Sequence, residues 1–281
     1  GPTGTWVSGI TCQNLDTVYA AEVVFEFYQE GVVTPALTYS DSIPAGGTLK
    51  YFTPSSPVGL PAPFTGAVTV SSSTALTCNV NTQANTTGSS TSPYRIGTSA
   101  GFDSAQVGPV MYLPQVIKAA GTWNSYVAVQ NTTGSDVIVD VQYYNRTTGL
   151  EITAAKETLT IKANSNKMVY QASNVNLPAG FNGGAKVTAV NPNTTPLAAV
   201  VNFYNDGATY TSSQFHSYNG MASGANKVFL PRVVRRYYGY NSGITIQNVG
   251  LTETTATIDF KFKDGSTYTY TSPTILPIHS G

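Results

Sequence analysis

The stretch Trp123-Asn124-Ser125-Tyr126-Val127-Ala128-Val129-Gln130-Asn131 decides how this chain is read, because the sequence writes it three times. The first copy is Trp6-Val7-Ser8-Gly9-Ile10-Thr11-Cys12-Gln13-Asn14. The third is Tyr240-Asn241-Ser242-Gly243-Ile244-Thr245-Ile246-Gln247-Asn248. The leading aromatics are 117 residues apart in both intervals. A period of that size belongs to a domain and not to the short unit of a solenoid. Each copy passes from an aromatic through polar turn residues into apolar-polar-apolar alternation and closes on Gln-Asn. That is a short strand entered from a turn and ended by a turn-forming Asn.

Working outward, Ala21 to Tyr28 alternates apolar and polar residues, as do Val137 to Tyr143 and Thr257 to Phe262. Period two over that length predicts half-buried strands. Val23, Phe25 and Phe27, Val139, Val141 and Tyr143, and Ile258, Phe260 and Phe262 are expected inward, with Glu26, Gln142 and Lys261 outward. Asp264-Gly265 marks a hairpin turn. Leu60-Pro61-Ala62-Pro63-Phe64 and Leu177-Pro178-Ala179-Gly180-Phe181 repeat a turn, and Leu76 to Asn81 repeats as Leu197 to Asn202. Leu113-Pro114-Gln115-Val116 and Leu230-Pro231-Arg232-Val233 read as leading strands, with Pro on an edge where no ladder donor is lost. About seven short strands per roughly 100 residues, with turn signals between them, predict an all-β chain of tandem immunoglobulin-like antiparallel β-sandwiches, the last incomplete. The expected organisation is a first sandwich over residues 1–84 that lacks its leading strand, a linker over 85–112 and a second sandwich over 113–202. A second linker over 203–229 and a truncated third sandwich over 230–281 complete it.

Composition narrows the function classes. Charged residues are 10% of the 281, and formal net charge is zero, against about 25% charged in a typical globular protein. A neutral surface gives no long-range field toward nucleic acid or anionic lipid and little repulsion against self-association. No apolar run approaches the roughly 20 residues of a membrane helix, so no membrane insertion is expected. The chain begins Gly1-Pro2, which points to removal of a secretory signal or to a protease scar. The two cysteines, Cys12 and Cys78, stand at core positions of neighbouring strands, where the second copy has Val129 and Ala199. A disulfide in an oxidising compartment is expected, with two buried free thiols as the alternative.

Sites of chemistry are scarce. The histidines are His216 and His279, neither in a recognisable motif, so no catalytic residue, cofactor or metal is assigned. Asn-x-Ser/Thr sequons at Asn85, Asn131, Asn145 and Asn193 permit glycosylation of a secreted protein. The run Arg232-Val233-Val234-Arg235-Arg236-Tyr237-Tyr238-Gly239-Tyr240 could grip an acidic glycan or a neighbouring subunit. As an edge strand with Arg outward it needs no ligand.

The grammar W/Y-N-S-x-I-x-V-Q-N, then L-P-x-G-F-x-G, then P-L-A-A-V-V-N resembles the tandem immunoglobulin-like repeats of secreted bacterial surface and filament proteins. That resemblance implies a structural role without catalytic residues. The expectation is a secreted, cell-surface subunit that forms a homopolymer with identical copies by β-strand donation. An adhesin or carbohydrate-binding module that takes glycans is the alternative. The strand donor is expected in the tail Ile275-Leu276-Pro277-Ile278, whose Leu-Pro imitates the leading strands. Trp6, Arg235 and Arg236 are the other expected subunit contacts. A fragment of a longer repeat protein is the plain alternative.

Overall fold

The computed structural model describes residues 2–55, 57–84, 95–206, 213–272 and 276–279. Its regular structure is almost wholly antiparallel β. A first body contains β1 (Trp6–Asn14), β2 (Ala21–Gln29), β3 (Leu37–Ile43), β4 (Thr48–Phe52), β5 (Gly66–Ser72), β6 (Leu76–Ala84) and β7 (Arg95–Ala100). A second contains β8 (Val110–Lys118), β9 (Asn124–Asn131), β10 (Val137–Tyr144), β11 (Glu157–Ile161), β12 (Asn166–Tyr170), β13 (Phe181–Asn191), β14 (Leu197–Asp206) and β15 (Ser213–Asn219). Two short 3-10 turns, Thr153–Ala155 and Gln171–Ser173, interrupt the second body. Beyond it β16 (Thr257–Lys261) and β17 (Thr267–Thr271) form a hairpin.

The two bodies run their strands in matching order. The first has sheets β4-β1-β6-β7 and β3-β2-β5; the second has β12-β9-β14-β15 and β11-β10-β13-β8. The one difference is the strand beyond β13, which has no counterpart beyond β5 among the described residues. Each pair of sheets encloses its own apolar cluster, one around Ile10, Phe25 and Tyr51 and one around Met111, Tyr143 and Val201. Alternation decides the faces. Val23, Phe25, Phe27, Val139, Val141 and Tyr143 are all buried, while Glu26 and Gln142 stay partly exposed. Full burial of one such side chain stabilises by about 1.5–3 kcal/mol.

Each Gln-Asn ending closes its body with one buried amide. Asn14 Nδ2 donates to the carbonyls of Tyr19 (2.8 Å), Ile43 (3.1 Å) and Pro44 (3.3 Å), and its Oδ1 accepts from Asp16 N at 3.0 Å. Asn131 repeats the set on Ser135, Ile161 and Lys162, and Thr133 N donates back to it. The Asn thereby ties a strand end to the far end of β3 or β11, satisfying carbonyls that the ladders leave over. Cys12 and Cys78 are direct partners across β1 and β6 and form a disulfide, with Sγ–Sγ 2.05 Å. Val129 and Ala199 occupy the same cross-strand relation in β9 and β14.

Three expectations change. The segments read as linkers carry strands: β7 and the first residues of β8 fall within 85–112, and β15 within 203–229. The leading strand of the second body therefore starts at Val110, not at Leu113. In the third block only the hairpin β16–β17 is regular among the described residues. There Ile258 and Phe260 are half-buried and Phe262 is exposed, because among the described residues no second sheet packs on the hairpin. The Asp-Gly turn itself forms as read: Asp264 Oδ1 accepts from Ser266 N at 2.9 Å, and Gly265 takes φ +85°.

The first and second bodies meet directly. β7 packs on β15, where a Cβ on Gly97 would lie 2.6 Å from the Phe215 ring. Trp6 stacks obliquely on Phe215 at 4.6 Å. Arg95, almost fully buried, pairs with Asp206 and with the Thr3 carbonyl and lies over the Trp6 ring. A second patch joins the Gln29–Gly31 turn to β12: Gly31 N donates to Ser165 Oγ at 2.9 Å, and Lys167 pairs with Glu30 at 3.0 Å.

Candidate assembly interface

The second body shows what its extra strand does. β8 pairs with β13 in the register Val116–Gly183, Leu113–Ala185, Tyr112–Lys186, Met111–Val187 and Val110–Thr188. Its inward residues Met111, Leu113 and Val116 are fully buried. Under it Ala185, Val187, Leu197, Ala199 and Val201 are sealed from water as well. Gly220 permits the close fit, since a Cβ there would sit 2.8 Å from Leu113 Cδ2.

In the first body the corresponding corner is open. Gly66 matches Gly183, because a Cβ on either would strike a tyrosine carbonyl (Tyr28 or Tyr144) and a phenylalanine ring (Phe64 or Phe181). Val68 and Val70 then match Ala185 and Val187, opposite Phe27 and Phe25 as their counterparts are opposite Tyr143 and Val141. Val68, Val70, Leu76, Cys78 and Val80 are only partly buried, and no strand lies along the outer edge of β5 among the described residues. Gly101 holds the place of Gly220: its N–H donates to the Cys78 carbonyl as that of Gly220 does to Ala199. The nearest atoms to a Cβ there all belong to Cys78, at 3.3–3.9 Å. The result, among the described residues, is an apolar groove flanked by a sheet edge that has no strand partner.

The third copy of the leading segment lies in the opposite state. Val228, Leu230 and Val233 stand where Met111, Leu113 and Val116 stand in the second copy. They are 70%, 52% and 38% exposed, against 0% for each counterpart. Phe229 between them is 77% exposed, and the segment belongs to no strand. Four large apolar side chains within six residues face solvent.

The tail behaves differently from the expectation. Leu276 pairs with Thr254 in both directions, at 3.1 and 2.6 Å, and its carbonyl accepts from Asn248 Nδ2 at 3.0 Å. Ile43 and Ile161 make that same contact with Asn14 and Asn131. Leu276, in an isolated bridge to Thr254, thus takes the place that Ile43 and Ile161 take in the first two bodies. Ile278 and His279 lie on the second body of their own chain, with the His279 ring 4.5 Å from that of Tyr144 and the Ile278 carbonyl close over Gly149. Leu276, Pro277 and Ile278 thus lie against their own chain here; Ile275 lies outside the described residues.

Other expected site residues are redistributed. Trp6 is engaged at the junction within the chain. Arg235 and Arg236 are exposed, but not on an edge strand. Arg236 N donates to Asn241 Oδ1 at 3.0 Å, and Tyr237 and Tyr240 bridge to each other, so the basic-aromatic run folds into a tight turn. Asn131 is corrected as a glycan acceptor, because its amide is fully buried and donates to three backbone carbonyls. Asn145 and Asn193 lie exposed in turns, and Asn85 is outside the described residues.

Among the described residues no group of three or more His, Cys, Asp or Glu side chains could hold a metal ion, and no helix is long and apolar enough to cross a membrane. Burial of its ring holds His216 below the ordinary imidazole range. It stacks on Phe203 at 4.6 Å and meets Trp123 edge-on at 5.2 Å, an aromatic packing role. No family model matches the chain, and neither curated proteins nor solved structures give a match.

Proposed function

We propose that this chain is a structural subunit of an extracellular filament or surface array, built from tandem immunoglobulin-like β-sandwiches and joined to identical copies by β-strand donation. The observation that carries the reading is the pairing of an uncovered groove at β5 with an exposed segment whose sister, β8, fills the same groove in the second body. A donated strand satisfies unpaired edge amides and carbonyls and covers apolar surface in one step. Donor and acceptor are different surfaces, so the contact is heterologous and propagates as a fibre unless a rotation closes it. The disulfide fits an oxidising, extracellular setting. Negative-stain microscopy and light scattering on the purified chain test the proposal. Filaments or a concentration-dependent ladder of oligomers are expected, and a chain that stays monomeric at high concentration overturns it.

One observation favours a second reading, a glycan-binding surface protein. Tyr237, Tyr238 and Tyr240 are all exposed around one turn, with Arg232 5.9 Å from the Tyr237 ring. Exposed aromatics beside a cation suit an acidic sugar face. Glycan-array binding by a monomer, lost on Tyr238→Ala, would favour that reading over the first.

A further inference from the structure

We infer that residues 227–235 of one copy lie as a fourth strand against β5 of a second copy, in the register that β8 takes on β13. This inference rests on the strand-donation reading and adds the donor, the acceptor and their alignment. Transferring the β8 register places Val233 opposite Gly66, Leu230 opposite Val68, Phe229 opposite Thr69, Val228 opposite Val70 and Lys227 opposite Ser71.

The chemistry of each position agrees. Val228, Leu230 and Val233 would enter the groove lined by Val68, Val70, Leu76, Cys78 and Val80, which is apolar and only partly buried without them. Valine for methionine at the first position is smaller, while the groove residues Val68 and Val70 are as large as or larger than Ala185 and Val187, so total volume is roughly kept. Gly101 leaves room beside Leu230 as Gly220 does beside Leu113. Pro231 takes the place of Pro114, where β8 is an edge strand that needs no further donor on its outer side.

The existing junction does not stand in the way. Thr69 Oγ1 meets Gln130 Nε2 at 3.5 Å on the outward face of β5. The corresponding contact one block on, Gln247 Nε2 with the Ala185 carbonyl at 3.5 Å, coexists with β8 in its place. Within the chain, 227–235 belongs to no strand and no strand lies beyond β5 among the described residues, so the two are not paired in one molecule.

Ser71 and Lys227 are both exposed, which makes them suitable reporters. Ser71→Cys and Lys227→Cys chains, each with the native disulfide intact, are mixed and oxidised, then resolved on a non-reducing gel and mapped by peptide mass. A covalent dimer joining the two introduced thiols is expected in the mixture and absent from either variant alone. Filaments without that link mean that another segment fills the groove and overturn the inference while leaving the assembly proposal standing. A link found only when both substitutions are in one chain means that the segment folds back on its own β5, which overturns the exchange. Folded protein with neither link nor assembly overturns the underlying reading too.

Discussion

At the scale of single residues, the recurring Asn carries more than a turn preference. Asn131 is fully enclosed, and its one amide serves three carbonyls from two separate segments. Asn131→Ala removes every donor at once, and each buried carbonyl left unsatisfied costs about 1–3 kcal/mol. A loss of roughly 3 kcal/mol is expected, measured as a lower urea midpoint with an unchanged slope. The cysteines make a complementary case. Alkylation of the native protein should modify no thiol, and the double substitution Cys12→Val with Cys78→Ala installs the pair found in the second body. Packing is then kept and only the cross-link is lost, so the expected cost is the loop-closure contribution of about 4 kcal/mol. An unchanged melting temperature would show that the disulfide contributes nothing beyond packing.

At the scale of elements, β7 and β15 were hidden in segments that read as linkers for a physical reason. Their buried positions include Arg95, Gly97 and Phe215, and no local apolar alternation announces such a set. They become buried because two bodies meet there, which is a property of the pair. The tail is a further case. His279 is held below its ordinary value of 6.5, first by burial of the ring and then by the positive charge of Lys186, with Glu151 pulling the other way. A lowered value means that the neutral ring docks on Tyr144. The contribution to docking is full above about 6.5 and is lost as pH falls through the depressed value. Amide exchange at Leu276 and Thr254, corrected for intrinsic rates, should be faster at about pH 5 than at about pH 7.5. His279→Phe should remove that difference, and an unchanged contrast in the variant would refute the assignment.

At the scale of the whole molecule, among the described residues, one body is sealed, one has no strand beyond β5, and the third block is a hairpin beside an exposed apolar segment. Leu230→Asp places a charge where an apolar contact with a second copy is proposed, yet Leu230 is 52% exposed and belongs to neither core cluster of its own chain among the described residues. Assembly should be lost while the thermal unfolding of the first two bodies is unchanged. A variant that assembles normally would exclude 227–235 as the donor.

The sequence by itself determined what depends on neighbours along the chain. Alternation at Phe25–Phe27 and Val139–Tyr143 set the inward faces, Asp264-Gly265 set a hairpin, and the cross-strand equivalence of Cys12 and Cys78 with Val129 and Ala199 set the disulfide. Each is settled by the two-residue period of a strand or by a local turn. Tertiary structure alone decided the rest. The two Leu-Pro segments at Leu230 and Leu276 look alike in sequence, but Asn248 captures the second through a contact 28 residues distant and leaves the first exposed. Whether a sequon is a surface site or a buried tie, as at Asn131, and whether an aromatic is a docking residue or a junction, as at Trp6, likewise depends on which distant backbone arrives beside it. Period and propensity act within a few residues, whereas burial is set by surfaces brought together from far along the chain.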